Sequence, residues 1–154
     1  MAKVSAVATH QSLPLLEHLA RVGRRAAETS LEPGGLRPRH FITLRLLSDH
    51  GPASQQGLAE ALRLDPSNVV GLLNELEERG LVTRRRDPVD RRRHIVELSD
   101  VGRVELDEAS ARLGCVEDEL LAALSPQERE TLYELLVRAA SIDSAQCAAD
   151  IPSA

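Results

Sequence analysis

Aromatic residues are almost absent from this chain of 154 residues, which has one phenylalanine, one tyrosine and no tryptophan. Apolar residues make up 42% of the sequence, so the chain can bury a core, and that core must be aliphatic. Proteins that bind single-stranded nucleic acid stack the bases on aromatic side chains. A stacking platform of that kind is excluded, and any nucleic-acid ligand would be a duplex.

Cysteine is also scarce. Cys115 and Cys147 are too few and too far apart for a disulfide framework or a zinc site. We expect two reduced thiols, with redox sensing through Cys115 as the alternative. The sequence has no glycine-rich phosphate loop, no nucleophile paired with a base and no metal-ligand cluster, so we expect neither an enzyme nor a cofactor.

Long apolar runs are missing as well. No run approaches the roughly 18 residues of a membrane helix, and the N-terminus lacks the apolar block of a signal peptide. We therefore expect a cytoplasmic protein with no membrane partner.

Positive charge is concentrated in one segment. Between residues 79 and 93 there are seven arginines, at positions 79, 84, 85, 86, 91, 92 and 93, against Asp87 and Asp90, a local charge of plus five. The whole chain carries minus five, so the remaining residues sum to minus ten. This asymmetry favours an anionic partner for that segment despite the acidic chain.

The segment follows a helix with clear boundaries. Asp65 suits the N-cap, Pro66 suits the first helical position, and Gly80 suits a left-handed end. Apolar residues recur at helical spacing and predict one buried stripe: Val69, Leu72, Leu73 and Leu76. The outward residues Ser67, Asn68, Gly71, Asn74 and Glu75 are mostly small and polar, as is typical of a helix that enters a DNA groove.

Three helices are predicted before this one. They span residues 12–29, residues 37–49 and a short stretch from Ser54, its N-cap, to Leu62. Arg63 and Leu64 then form a tight connection. A short helix, a tight turn and a second helix make a helix-turn-helix.

A hairpin is predicted after it. Residues 81–86 and 92–98 indicate two strands joined by a turn at residues 87–91. A hairpin with arginines at its tip, directly after a recognition helix, is typical of a wing whose guanidinium groups bind phosphates or enter a minor groove.

Two more helices follow. Ser99 caps a long helix to about Ala123, and a capping box at Ser125–Glu128 starts a last helix that reaches Ile142. The long helix has apolar residues on more than one side, which a second copy of the chain would bury. Residues 1–11 are expected to fray. The domain limits we expect are an N-terminal segment with a dimerisation helix at 1–35, the winged helix-turn-helix at 36–99, dimerisation helices at 100–146, and a disordered tail at 147–154.

The ordered set of motifs resembles the MarR family of bacterial transcription regulators over about residues 12–142. The most specific parts are residues 68–73 (NVVGLL), Gly80-Leu81-Val82 with Arg84, Asp87-Pro88-x-Asp90-Arg91-Arg92, and Leu98-Ser99-x-x-Gly102. The resemblance implies a mainly α fold containing an α+β winged helix-turn-helix. It further implies a homodimer that reads a pseudo-palindromic operator of double-stranded DNA, and a repressor relieved by a small aromatic or phenolic ligand.

The DNA-binding residues we expect lie on the recognition helix and the wing: Pro66, Ser67, Asn68, Val70, Gly71, Asn74, Arg84, Arg85, Arg86, Arg91 and Arg92. Ser67 and Asn68 suit base edges, Pro66 or Val70 a thymine methyl, and Asn74 either a base or a phosphate. Ser67 and Asn68 could instead only cap the helix. Arg84, Arg85 and Arg86 alternate in direction, so one of them can pair internally.

The remaining assignments concern the wing turn and the ligand. Asp87 and Asp90 are expected to hold the turn, with Arg91 and Arg92 as minor-groove candidates. His40 and Arg45 are placed in the ligand cleft by position alone. Many members of the family carry a hydroxyl residue and a long polar or basic residue at the positions of Val70 and Gly71, so lighter base readout is expected here. Loss of DNA binding in favour of a protein partner is the alternative function.

Overall fold

The computed structural model of the chain describes residues 11–140. Its helices are α1 (Leu13–Leu31), α2 (Pro38–His50), α3 (Gln55–Ala61), α4 (Pro66–Glu78), α5 (Asp100–Leu120) and α6 (Pro126–Ala140), with a single 3-10 turn at Glu32–Gly34. Its strands are β1 (Ala53–Ser54), β2 (Val82–Arg86) and β3 (His94–Leu98). The predicted class, mainly helical with a winged helix-turn-helix, is confirmed.

The core is aliphatic, as predicted, and is formed mainly by residues of α2, α3, α4 and the hairpin. Leu44, Leu73, Leu76 and Val96 are fully buried there, while the single phenylalanine, Phe41, is only partly buried against the cluster. Leu106 and Ala109 of α5 join the same core. The winged lobe therefore has its own hydrophobic interior, to which α5 is attached.

The helix-turn-helix forms from local signals. Ser54 Oγ accepts a hydrogen bond from the Gly57 backbone N–H at 3.0 Å and caps α3 as predicted. Arg63, in the turn before α4, takes a left-handed φ of 50°. Gly80, just after the C-cap of α4, takes a left-handed φ of 68° and terminates the helix. The recognition helix therefore begins and ends within two residues of its predicted limits.

The sheet has one strand, β1, that the sequence does not predict. The strand order is β1-β3-β2, all antiparallel, with Ala53 opposite Val96 and Ser54 opposite Ile95. A strand of two residues is too short to show alternation. The second strand of the hairpin begins at His94 rather than residue 92, because the Arg93 carbonyl accepts the Asp87 N–H at 3.0 Å and closes the turn.

A tight joint links the wing to α5. The Ser99 N–H donates to the Leu81 carbonyl at 3.1 Å, its hydroxyl donates to the Gly80 carbonyl at 2.6 Å, and its oxygen caps Gly102 at 2.9 Å. A Cβ at Gly102 would lie 2.0 Å from the Leu81 carbonyl oxygen. The glycine is needed because the helix backbone approaches another backbone segment.

The outer helices bury little in a single chain. Leu31 is the buried residue of α1, and α6 has none among its described residues. Large apolar side chains remain exposed along these helices and on α5: Leu13, Leu15, Leu16, Leu19, Val22, Val101, Val104, Tyr133, Leu135 and Leu136. No helix within residues 11–140 is both long enough and apolar enough to cross a bilayer.

Several predicted limits need adjustment or lie outside the described residues. The first helix continues to Leu31, two residues beyond its predicted end, and the long helix ends at Leu120 rather than about Ala123. The Ser125–Glu128 capping box is present, with both reciprocal hydrogen bonds formed. The expected fraying before residue 11, the end of the last helix at Ile142 and the disordered tail fall wholly or mostly outside residues 11–140. The domain limits stay a prediction.

Candidate nucleic-acid interface

The recognition helix α4 separates a buried stripe from a slim exposed face. Val69, Leu72, Leu73 and Leu76 are buried, as predicted. The exposed residues of the opposite side are those expected to contact DNA: Pro66, Ser67, Asn68, Val70, Gly71 and Asn74. Ser67, Gly71 and Asn74 follow one another at i, i+4 and i+7 and therefore form a single row along the helix.

The start of α4 has no side-chain cap. Asp65 takes the extended backbone of an N-cap residue, yet its carboxylate accepts no hydrogen bond from the first turn, so the predicted cap is confirmed in position but not in bonding. The side chains of Ser67 and Asn68 also form no hydrogen bond with any residue of the described range 11–140. Their polar groups therefore remain open to a ligand.

Gly71 has no internal reason to be a glycine. A Cβ at this position would meet no atom within 4 Å, and the helix is regular there. Glycine inside a helix costs about 1 kcal/mol relative to alanine. The residue makes the centre of the exposed face flat, which suits close approach of a bulky partner to the helix backbone.

Glu75 of α4, which was expected to face outward, is instead partly buried beside a histidine from α2. His40 is buried; its Nδ1 accepts the Arg37 N–H at 3.2 Å, and its Nε2 lies 2.9 Å from Glu75 Oε2. Because Nδ1 is an acceptor, the neutral ring carries its proton on Nε2 and donates it to Glu75. Burial lowers the pKa of His40 against the opposing effect of the Glu75 hydrogen bond.

Two arginines complete this attachment. The Arg37 guanidinium also pairs with Glu75, and its hydrogen bond, followed by that of His40, lowers the pKa of the Glu75 carboxyl. Arg79, at the end of α4, donates to the carbonyl oxygens of Gly35 at 2.8 Å and Gly34 at 2.5 Å. In the sequence Arg79 stands out only as part of a charge cluster, since nothing local indicates backbone partners more than forty residues away.

The three consecutive arginines of β2 have different environments. Arg84 points inward: it lies opposite the buried Val96 and donates to Glu77 and Asn74 of α4. Arg85, on the other face, lies 3.8 Å from Glu97. Arg86 is exposed and forms no ion pair or hydrogen bond with a described residue. The expected alternation is present, and Arg84 is the member that pairs internally.

The wing turn is organised by its two aspartates. Asp87 Oδ1 accepts the Val89 N–H at 2.8 Å, and Asp90 Oδ1 accepts the Arg92 N–H at 3.0 Å. Asp90 also lies 3.4 Å from the Arg93 guanidinium. The guanidinium groups of Arg91 and Arg92 are exposed and have no partner within residues 11–140. The turn therefore presents two uncommitted cations next to one neutralised arginine.

The two residues expected at a ligand cleft have separate roles. His40 is committed to Glu75, as described above. Arg45 belongs to α2 and its half-buried side chain reaches α5, where it donates to Ser110 Oγ at 2.8 Å. Its guanidinium carbon lies 5.5 Å from the centre of the Phe41 ring. Arg45 forms no ion pair with any of residues 11–140.

Comparison with known proteins identifies the family. The MarR family model matches residues 36–94, which include α2 to α4 and most of the wing. The crystal structure of a MarR-family transcriptional regulator from Rhodococcus sp. RHA1 aligns with a TM-score of 0.70 and 33% identity, covering 80% of this chain and 87% of that one. The chain belongs to the MarR family of transcriptional regulators. Sequence and fold both support this assignment.

Two further relatives of this MarR-family chain have informative names. The transcriptional repressor NicR of Pseudomonas putida is 36% identical over 96 residues, which are 62% of this chain and 61% of NicR. CouR of Rhodococcus jostii RHA1, solved with p-coumaroyl-CoA bound, is 31% identical with a TM-score of 0.66, covering 80% of this chain and 86% of CouR. The relatives are transcriptional regulators rather than enzymes.

Proposed function

We propose that this MarR-family protein is a homodimeric repressor that binds a specific duplex operator and releases it when a small aromatic or phenolic ligand binds. The observation that carries the proposal is the contact between Arg84 of β2 and Asn74 of α4. Asn74 belongs to the exposed row of the recognition helix, so this contact sets the wing beside that row. A slim helix face and a cationic hairpin side by side suit one major groove and its flanking phosphates.

The roles within the interface follow from chemistry and exposure. Ser67 and Asn68 have unpaired polar groups at the start of α4, where base edges are read, and an asparagine can bind adenine through two hydrogen bonds. Pro66 and Val70 supply apolar contact for a thymine methyl. Arg91 and Arg92 suit the negative potential of a minor groove, and Arg85 and Arg86 suit phosphates along the wing.

Dimerisation is supported by the outer helices. Leu13 and Leu15 of α1 and Leu135 of α6 are more than half exposed in the single chain. A second copy that packs these helices against its own would bury them, and would present two winged lobes to successive turns of a pseudo-palindromic site.

The ligand proposal depends on Arg45. A half-buried guanidinium stacked on an aromatic ring, with a hydroxyl as its only described hydrogen-bond partner, suits the carboxylate of an aromatic acid. The ligand bound to CouR, p-coumaroyl-CoA, contains a phenolic ring and supports the aromatic part of this class, whereas its acyl group is a thioester and not a carboxylate. Benzoate and p-coumarate should raise the melting temperature, Arg45→Met should abolish that rise, and uncharged phenol tests whether the ring alone suffices.

DNA binding is tested by selecting an operator from random duplexes and measuring affinity over a range of salt concentrations. Arg92→Ala should weaken binding to every duplex and reduce the salt slope by about one per subunit, since one cation that displaces counterions from the minor groove is lost. Asn68→Ala should cost about 1 to 3 kcal/mol at one base position of each half-site. Arg138→Ala, on α6, is the matched control and should leave the slope unchanged.

Failure of the unsubstituted protein to enrich any duplex would favour the alternative of a protein-binding module. Unchanged affinity of Arg92→Ala would contradict the assignment of the wing. The redox alternative stays a prediction: Cys115 is exposed on α5, and an oxidant response that survives Cys115→Ser would dismiss it.

A further inference from the structure

Unlike the other arginines of the wing, Arg84 directs its guanidinium group at side chains of the recognition helix α4. Its side chain is 20% exposed, and both Nε and Nη2 donate to the same carboxylate oxygen of Glu77, at 2.8 Å and 2.5 Å. Nη2 also donates to Asn74 Oδ1 at 2.5 Å. Arg86, two residues along the same strand, has no partner among residues 11–140. One arginine is committed to the recognition helix and the other is available to a ligand.

The contact fixes the orientation of the Asn74 carboxamide. A guanidinium only donates, so the atom that faces it must be the amide oxygen and not the amide nitrogen. The amide NH₂ group therefore points away from the wing strand. It forms no hydrogen bond with a described residue and belongs to the exposed row of α4.

This orientation decides what Asn74 can recognise. Reading adenine with two hydrogen bonds requires the amide oxygen to accept from the base while the NH₂ group donates to it. In this structure the amide oxygen of Asn74 accepts from Arg84, and the NH₂ group that remains can only donate. Donors without an acceptor suit phosphodiester oxygens or the O6 and N7 of guanine. Position 74 lies two turns beyond the N-terminal residues that face base edges, and this favours phosphate.

The same contact removes an electrostatic obstacle. Glu77 lies three residues after Asn74, and an unpaired carboxylate there would repel a phosphate. Arg84 neutralises it, and the hydrogen bond from Arg84 lowers the pKa of Glu77, so the pair remains ionised together. A phosphate that approaches Asn74 meets a neutral pair and an amide donor.

We propose that Arg84 is a positioning residue that, braced by Glu77, holds the Asn74 amide so that it donates to a DNA phosphate oxygen. This inference rests on the proposed DNA binding and corrects the direct phosphate role expected for Arg84 from the sequence. Its chemical consequence is that Asn74 contributes affinity without base preference, and that Arg84 contributes through geometry rather than charge.

The first test uses the selected operator and its single base-pair variants. Asn74→Ala should lower affinity about tenfold, and equally for all variants, since a hydrogen bond to a phosphate carries no sequence information. Arg84→Lys keeps the charge that neutralises Glu77 but lacks the fork that reaches both partners, so it should lose about as much as Asn74→Ala. If Arg84 contacted phosphate itself, lysine would restore most of the affinity, because lysine binds phosphate well.

The second test is a mutant cycle with a matched control. Arg84→Ala combined with Glu77→Gln removes the neutral pair, so the salt slope should remain that of the unsubstituted protein while affinity falls about tenfold. Adding Asn74→Ala to this pair should cost nothing more, because the amide is no longer held. Arg86→Ala, the control on the same strand face, should reduce the salt slope by about one per subunit.

Three results would overturn the inference while the proposed DNA binding stands: operator affinity restored by Arg84→Lys, a further tenfold loss on adding Asn74→Ala to the pair, or relaxed specificity at one base position in Asn74→Ala. Melting curves by circular dichroism confirm that each variant is folded. If the folded unsubstituted protein bound no duplex, the proposed function would fail and this inference with it.

Discussion

The winged lobe and the outer helices of this molecule contain the same kind of residue in opposite environments. Leu44, Leu73 and Leu76 of the lobe are fully buried, whereas Leu13 and Leu135 of α1 and α6 are 66% and 51% exposed. Single exposed leucines are ordinary on protein surfaces, but a row of them along a helix indicates a surface that another molecule covers. The lobe completes its core within one chain, whereas the outer helices leave large apolar side chains exposed, which the proposed dimer would bury.

Two glycines show a similar contrast, since the fold requires one of them and not the other. A side chain at Gly102 would collide with the Leu81 carbonyl, so the fold itself requires this glycine. A side chain at Gly71 would meet nothing within 4 Å, so the fold does not. The glycine at position 71 is consistent with the close approach of duplex DNA proposed above.

The largest expected effect comes from placing the same charge in both regions. Leu44→Glu buries an unpaired carboxylate and should unfold the lobe, with a loss of more than about 4 kcal/mol. Leu16→Glu, on α1, should leave the lobe folded but give a monomer at micromolar concentration, with a large loss of operator affinity. Sedimentation and circular dichroism measure both, and a dimeric Leu16→Glu would contradict the role of α1.

The next effect concerns the joint between the wing and α5. Gly102→Ala should lower the free energy of unfolding by about 3 kcal/mol, because the added methyl group forces the helix away from a backbone carbonyl rather than a movable side chain. Urea titration measures the change. A loss below about 1 kcal/mol would show that the joint yields easily.

Gly71→Ala is the contrasting substitution and should change stability in the opposite direction. Alanine in an open helical position should stabilise the fold by about 0.5 to 1 kcal/mol. Operator affinity should fall at the same time, since the methyl group keeps the helix backbone from its groove. Urea titration and duplex binding are measured on one preparation, and a gain in stability with no loss of affinity would contradict the proposed close approach.

The smallest expected effect is a pH dependence of stability that arises where His40 contacts Glu75 of the recognition helix. The pKa of His40 is lowered from its ordinary 6.5, so below that pH the unfolded chain binds a proton that the folded lobe resists. The His40 contribution to stability is complete above pH 6.5 and is lost as pH falls toward the lowered pKa.

The measurement compares urea midpoints at pH 7.5 and pH 5.5. His40→Gln should show a smaller decrease between the two than the unsubstituted protein. Glu75, whose pKa is lowered from 4.5, loses its contribution only below that value and therefore does not interfere. Equal decreases in the two proteins would contradict the assignment of His40.

The parts of the molecule that could be predicted are those with local signals. Pro66 and Gly80 set the limits of the recognition helix, and Ser99 and Ser125 start the last two helices. Each depends on residues fewer than about five positions apart. The confirmed winged helix-turn-helix is assembled from such pieces.

The parts that could not be predicted depend on distant contacts. Alternation predicted that one of the three arginines can pair internally, but choosing Arg84 required knowing that Glu77 faces the hairpin. His40 was assigned to a ligand cleft by position alone, and nothing in the sequence indicated its contact with Glu75, 35 residues away. The strand β1 exists only because β3 lies beside it.

The bonds from Arg79 to the carbonyls of Gly34 and Gly35 have a consequence for protein engineering. Surface turns rich in glycine usually tolerate inserted sequence. Here one extra residue would displace both carbonyls from the guanidinium that fastens the end of α4 to this turn. A fused reporter or an affinity tag therefore belongs elsewhere.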